Sequence, residues 1–253
     1  PEGERDIFVL APDGTVLVRL TPPGEDWGPL WSPDGRTIAY ASGVGAAAEI
    51  FVVDADGTRT RRLTRNSAWD YARSWSPDGR YILVETDRDG DLEVYRMRAD
   101  GMDQVNLSRN PAADADPSWS PDGRRIVFSS DRDGNREIYL MDPDGSRQRR
   151  LTRHPAWDGH PYWSPDGESI LFESNRGPGE TFEVLALFRI GSGTRRVTRK
   201  GTTAMHPSWS PGGGLVVFES DRDGDWELYV AGNDGTSPVN LTRSPSEERH
   251  PSW

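Results

Sequence analysis

Cysteine is absent from the 253 residues. No disulfide framework and no thiolate metal site can therefore form, while either redox compartment stays open. Hydrophobic residues make up only 34% of the chain. No apolar run approaches the roughly 20 residues that a membrane-spanning helix needs. Basic residues are also short: 30 Lys and Arg stand against 41 Asp and Glu, for a formal net charge of −11. Non-specific nucleic-acid binding needs Lys and Arg to neutralise phosphates, so it is excluded, and an anionic membrane surface is disfavoured. Catalytic signatures are missing as well. There is no Gly-x-Ser-x-Gly elbow, no His-Glu-x-x-His and no phosphate-cradling loop. No signal peptide is visible, and the sequence begins at Pro1, which leaves room for a leader or an upstream domain.

What the chain does have is a repeat. Trp-Ser-Pro-Asp-Gly occurs at Trp31, Trp75, Trp119 and Trp163; Trp209 opens a decayed copy, Trp-Ser-Pro-Gly-Gly, and Trp253 ends the chain. The spacings are 44, 44, 44, 46 and 44 residues. A fixed period of this length marks an array of one supersecondary unit. The 27 Gly and 20 Pro fit many short strands joined by tight turns. In the third unit a short extended segment ends at Trp119 (strand A) and Ser-Pro-Asp-Gly turns the chain. Arg125–Ser129 alternates as strand B, and Asp-Arg-Asp-Gly turns again. Glu137–Asp142 is strand C, Pro-Asp-Gly turns, and Arg149–Thr152 is strand D. Strand C is apolar on both faces, with Ile138 and Leu140 on one and Tyr139 and Met141 on the other. Radially packed four-stranded antiparallel blades cover both faces, so a β-propeller is expected.

The succession Asp-Pro-Ser-Trp-Ser-Pro-Asp-Gly, Ile-Val-Phe-Ser-Ser-Asp-Arg-Asp-Gly, Glu-Ile-Tyr-Leu-Met-Asp and Leu-Thr resembles the WD-like propeller repeat of the TolB family. The resemblance covers essentially the whole chain. It implies six blades in a single domain over residues 1–253, with strand A innermost at a central channel and D outermost. It also implies a protein or peptide partner and a periplasmic or otherwise extracytoplasmic bacterial location. The expected blades span about 28–64, 72–108, 116–152, 160–198 and 206–242, with a closing blade made from 250–253 and 6–21. In four of five repeats the Trp and the start of strand C are 19 residues apart, yet only Pro1–Asp6 precede Ile7. The closing blade therefore lacks strand B, as in a truncated, permuted or engineered chain; five complete blades with loose ends are the alternative. A monomer is expected, with strand-mediated association through the open edge as a second mode.

In such a meander the A–B and C–D turns share one face and are minimal. The B–C and D–A connections share the other, where function is more often found. Five residues before each Trp stand Asp26, Asp70, Asp114, Asp158, Ala204 and Glu248. This carboxylate ring would attract cations or a basic segment at the channel mouth, or else cap its loops and pair with the arginines that follow Leu-Thr. Three before each Trp stand Gly28, Ala72, Asp116, His160, His206 and His250. Asp116, His160, His206 and His250 have the donor types of a Zn²⁺ or other transition-metal site, although equivalent atoms around a six-fold channel stand far apart. No other cofactor is expected. Trp27, Trp69, Trp157 and Trp226 lie outside the repeated Trp column and read either as binding hot spots or as loop packing. The Asp-Arg-Asp-Gly turns read as hairpins rather than calcium loops, because Arg interrupts the acids and no bidentate Glu follows. The leading expectation is a non-catalytic binding module that engages a partner through Asp26, Trp27, Trp69, Asp70, Asp114, Trp157, Asp158, Trp226 and Glu248. A metal-dependent or carbohydrate-active propeller enzyme using the histidines, and a structural scaffold, are the alternatives.

Overall fold

The computed structural model describes residues 5–11, 15–43, 47–188, 193–243 and 248. The chain divides into two compact units, Pro1–Trp119 with Asp144–Ser146, and Ser120–Pro143 with Arg147–Trp253. In the first, β1 (Phe8–Leu10) and β2 (Val16–Arg19) make a two-stranded antiparallel sheet. Repeat one pairs β3 (Asp26–Trp31), β4 (Thr37–Ser42), β5 (Glu49–Asp54) and β6 (Arg61–Arg62) in order. Repeat two does the same with β7 (Asp70–Trp75), β8 (Tyr81–Thr86), β9 (Glu93–Arg98) and β10 (Val105–Asn106), and β11 (Asp114–Trp119) follows. The second unit carries β12 (Ile126–Ser130), β13 (Glu137–Met141) and β14 (Arg149–Arg150). Repeat four pairs β15 (Asp158–Trp163), β16 (Ser169–Ser174), β17 (Glu183–Phe188) and β18 (Thr194–Arg196). Repeat five pairs β19 (Ala204–Trp209), β20 (Leu215–Ser220), β21 (Glu227–Gly232) and β22 (Val239–Asn240).

Five complete repeats thus yield four strands each, as expected. β1 and β2, at the places expected for strands C and D of a closing blade, pair as a separate two-stranded sheet. The expected strand A of that blade (250–253), with His250 and Trp253, lies outside the described residues.

The tight turns follow from their sequence. In the first, the Gly35 N–H donates to the Ser32 carbonyl (2.9 Å), and Asp34 Oδ1 accepts from the Ser32 hydroxyl (2.7 Å) and the Arg36 N–H (3.1 Å). Gly35 takes φ +66°, which its missing side chain allows.

Two strand boundaries differ from the expectation. In the five complete repeats strand D is two or three residues long, because a hydroxyl takes over from its ladder. The N–H that opens strand C donates to the Thr or Ser of Leu-Thr in all six copies: Ile7 to Thr21, Ile50 to Thr64, Val94 to Ser108, Ile138 to Thr152, Val184 to Thr198 and Leu228 to Thr242. Strand A begins two residues earlier than expected, at the position five before each Trp. It accommodates an internal proline through a bulge, between Trp27 and Leu30 and again between Gly159 and Tyr162 and between Met205 and Ser208. Proline has no N–H to give the ladder, so it sits where pairing already lapses.

The core lies between consecutive sheets. One cluster joins Ile50 and Val52 of repeat one to Trp75, Ile82 and Val84 of repeat two. Another joins Leu171 and Val184 of repeat four to Trp209 and Phe218 of repeat five. Two of the repeated tryptophans reach back to the preceding strand A: Trp75 Nε1 donates to the Leu30 carbonyl (3.1 Å) and Trp209 Nε1 to that of Tyr162 (3.4 Å). Trp75, Trp119, Trp163 and Trp209 are 7–9% exposed, whereas Trp31 is 48% exposed.

Candidate functional site

The positions five before each Trp open strand A, and their side chains turn inward. Asp26, Asp70, Asp114 and Asp158 are all buried. Asp158 binds both carboxylate oxygens to Arg176 Nη2 (2.7 and 2.6 Å) and accepts from the Ser174 hydroxyl (2.6 Å). Burial nevertheless pushes its pKa up. Asp70 binds Arg88 Nη2 (2.9 Å) and Asn66 Nδ2 (2.7 Å). Asp26 lies near Tyr40, whose pKa burial and this charge raise to about 12. The carboxylate ring is therefore withdrawn from solvent, against its expected role as a partner surface. Its counter-ion is also not the arginine after Leu-Thr but the arginine of the B–C turn. A carboxylate buried at a strand start needs a cation that the same sheet can deliver, and Arg88 and Arg176 lie opposite it across strand B.

The B–C turns are wired in the same way. Asp87 Oδ1 accepts the Trp69 N–H (2.8 Å), and Asn175 Oδ1 accepts the Trp157 N–H (2.8 Å). The second turn aspartate takes a strand C tyrosine hydroxyl: Tyr95 to Asp89, Tyr139 to Asp133 and Tyr229 to Asp223. These acids serve as hairpin ties.

Four positions three before Trp have positive φ, Gly28 at +63°, Asp116 at +54°, His160 at +48° and His206 at +48°, whereas Ala72 stays paired with Val84. Beneath them lies a set of glutamates that the sequence reading passed over. Glu85, Glu173 and Glu219 of strand B are 0–1% exposed. Glu173 Oε2 is 3.0 Å from His160 Nδ1, and its Oε1 accepts the His206 N–H (2.8 Å). Glu219 Oε1 is 2.9 Å from His206 Nδ1. Glu85 binds Arg73 Nη2 (2.8 Å) and the Asp116 N–H, and Asp116 Oδ1 lies 3.3 Å from the same Arg73 nitrogen. Burial raises the Glu85 pKa. Burial also works against the Arg73 charge, but Glu85 and Asp116 outweigh it and hold that pKa up. A signal for these residues existed: Ile-Leu-Val-Glu-Thr, Ile-Leu-Phe-Glu-Ser and Val-Val-Phe-Glu-Ser each carry one acid in an apolar strand.

The extra tryptophans are half-buried and divide between the two units. In the first, Trp27, Trp69 and Tyr71 stack with centroids 4.9–6.1 Å apart, and Arg73 lies 4.5 Å over the Tyr71 ring. Gly28 makes room: a Cβ there would come within 2.4 Å of the Tyr71 ring. In the second, Trp157 packs edge-on against His160 (5.4 Å) and Phe182 (5.5 Å), over Gly159. His160 and His206 stack at 6.5 Å. Trp226 is half-buried, and its carbonyl accepts the Glu248 N–H (2.8 Å).

This arrangement offers two aromatic surfaces and a pair of imidazoles. Asp116 is committed to Arg73, His250 lies outside the described residues, and among the described residues no group of three or more His, Cys, Asp or Glu is placed to hold a metal ion.

Comparison with known proteins accords with this architecture. A TolB homolog of Chlorobium luteolum is 36% identical over 61 residues, which are 24% of this chain and 14% of the relative. TolB of Acinetobacter baumannii superposes with a TM-score of 0.77 at 25% identity, covering 96% of this chain and 61% of that one. An oligogalacturonate lyase in complex with manganese superposes at 0.74 with 18% identity, covering 95% and 71%, which is a likeness of fold. The chain thus spans less than two thirds of the length of these two TolB proteins. The sequence matches the TolB beta propeller domain over residues 21–116 and 104–186, more than half of its length. With four-stranded antiparallel repeats that interlock through their tryptophans, the chain belongs to the TolB β-propeller family.

Proposed function

We propose that this chain is a non-catalytic module that binds a protein or peptide on the face where its strands A begin, in an extracytoplasmic compartment. The supporting observation is the Trp27–Tyr71–Trp69 stack with Arg73 above it. Aromatic and arginine side chains that are rigid before binding lose little entropy when a partner covers them. The buried aspartates and glutamates below hold that surface in place and take no part in contact. The test is photo-crosslinking in cells from a benzoylphenylalanine at position 69, with position 102 on the opposite, minimal-turn face as control. A partner that crosslinks from 69 and not from 102, and binds at least tenfold more weakly after Tyr71→Ala, supports the reading. Equal crosslinking from both positions overturns it.

One observation favours a second reading. His160 and His206 each hold Nδ1 against a buried glutamate, the orientation that metal-ligating histidines use. Two imidazoles are fewer than the three or four ligands of a Zn²⁺ site, so the described residues fit such an ion poorly. Calorimetric titration with Mn²⁺ and Zn²⁺ decides between the readings: stoichiometric binding that His206→Ala abolishes favours the metal.

A further inference from the structure

Four B–C turns carry an arginine at the same place: Arg88, Arg132, Arg176 and Arg222. Each lies over an aromatic ring and donates Nε to a hydroxyl two residues back. The first three complete their bonding inside the fold. Arg88 gives Nη2 to Asp70 (2.9 Å) and Nη1 to Gln104 (2.5 Å); Arg132 gives Nη1 to Gln148 (2.5 Å); Arg176 holds Asp158 with both carboxylate oxygens.

Repeat five has lost both kinds of acceptor. The period places Ala204 where the others have aspartate and Pro238 where two have glutamine. Arg222 keeps the Ser220 hydroxyl (3.2 Å) and lies over the rings of Tyr229 (4.3 Å) and Phe218 (5.2 Å). Its Nη2 is out of reach of solvent and has no acceptor among the described residues. Burial, with the nearby Arg199 charge, holds its pKa below the usual value although Tyr229, Asp221 and Asp223 oppose this. Those two acids are already engaged, Asp221 with the Thr203 N–H and Asp223 with the Tyr229 hydroxyl. A half-buried guanidinium without its carboxylate is costly, and an anion beside it recovers the lost attraction.

Arg222 also lines a cleft of about 390 Å³. Thr198 and Arg199 follow strand D of repeat four on one side, and Asp234 and Pro238 flank the C–D connection of repeat five on the other. Asp234 is occupied by the N–H and hydroxyl of Thr236. Three arginines, Arg196, Arg199 and Arg222, line the cleft against one acid, Asp234, and of the three Arg196 is paired with Glu183.

We propose that this cleft binds a carboxylate group, presented to Arg222 and Arg199 in place of the aspartate that repeat five lacks. The residues of this site belong to repeats four and five and those of the aromatic stack to repeats one and two, so its test does not depend on the reading given to that stack. The ligand's source is either an acidic side chain of a polypeptide or a free small carboxylate.

The Nε–Hε signal of Arg222, assigned by its loss in Arg222→Gln, is followed by NMR at constant ionic strength. The probes are succinate, the peptide acetyl-Gly-Glu-Gly-amide, and sulfate as control. Expected are saturable shifts with the carboxylates, at least tenfold weaker binding in Ala204→Asp, and no saturation with sulfate. Ala204→Asp restores the residue that repeats two and four already hold, and its melting curve verifies that it folds. Tighter binding of the peptide assigns the carboxylate to a polypeptide, and tighter binding of succinate assigns it to a small molecule. No saturable shift, an equal response to sulfate, or unchanged affinity in Ala204→Asp overturns the proposal.

Discussion

In repeat two the buried carboxylate of Glu85 is met by Arg73, two residues before its Trp; in repeat four that of Glu173 is met by His160, three residues before. The bulge moves with the cation. It lies between Ala72 and Ser74 in the first case and between Gly159 and Tyr162 in the second. Both repeats satisfy one demand, a carboxylate buried on strand B, with whichever cation their strand A supplies. The consequences differ, because a guanidinium is charged at every accessible pH whereas an imidazole can be neutral. Repeat two holds an arginine–glutamate ion pair beside stacked aromatics, and repeat four sets an imidazole against its buried glutamate.

The sharpest way to break this comparison is to remove each cation. Arg73→Ala leaves Glu85 buried beside Asp116 and is expected to cost about 3–5 kcal/mol in urea unfolding. His160→Ala leaves Glu173 with the His206 N–H and is expected to cost about 1–2 kcal/mol. Equal losses would show that the two repeats do not differ as described. Next in size are the glycines that admit the aromatic rings. Gly28→Ala meets both a φ of +63° and the Tyr71 ring and is expected to cost about 2–3 kcal/mol. Gly159→Ala meets the Trp157 ring alone, at about 1–2 kcal/mol. Tryptophan fluorescence should change in both, and a silent Gly28→Ala would remove the packing argument.

The smallest expected effect concerns the turns that both repeats share. The Ser164 hydroxyl and then the Glu168 N–H hold the Asp166 carboxyl below its usual range. A folded-state pKa below the unfolded one adds stability that is present above about pH 4 and is lost as pH falls through the lowered value. Asp166→Asn should therefore flatten the acid limb of the stability curve slightly and leave neutral pH almost unchanged; an unaltered limb would show that this turn contributes nothing to acid sensitivity.

Much of this was legible in the sequence. Four strands per repeat and the tight Ser-Pro-Asp-Gly turns follow from a 44-residue period with glycine where φ must be positive. The site was legible only as a set of columns. Asp26, Asp70, Asp114 and Asp158 read as a charged rim because a loop was expected there, yet each opens a strand and points into the sheet. Glu85, Glu173 and Glu219 read as ordinary strand residues, since nothing in a one-dimensional pattern says that a bulge has opened a slot above them. Trp27 and Trp69 stood as either contact or packing residues, and the stack with Tyr71 makes them both packed and half-open.

By itself, then, the sequence determined the repeat, its turns and the tryptophan that ends each strand A, because these depend on local φ, proline and apolar spacing. Tertiary structure decided which charges are spent inside the fold. An ion pair depends on what lies across the sheet, and Asp158 with Arg176 against Ala204 with Arg222 is a difference of neighbours.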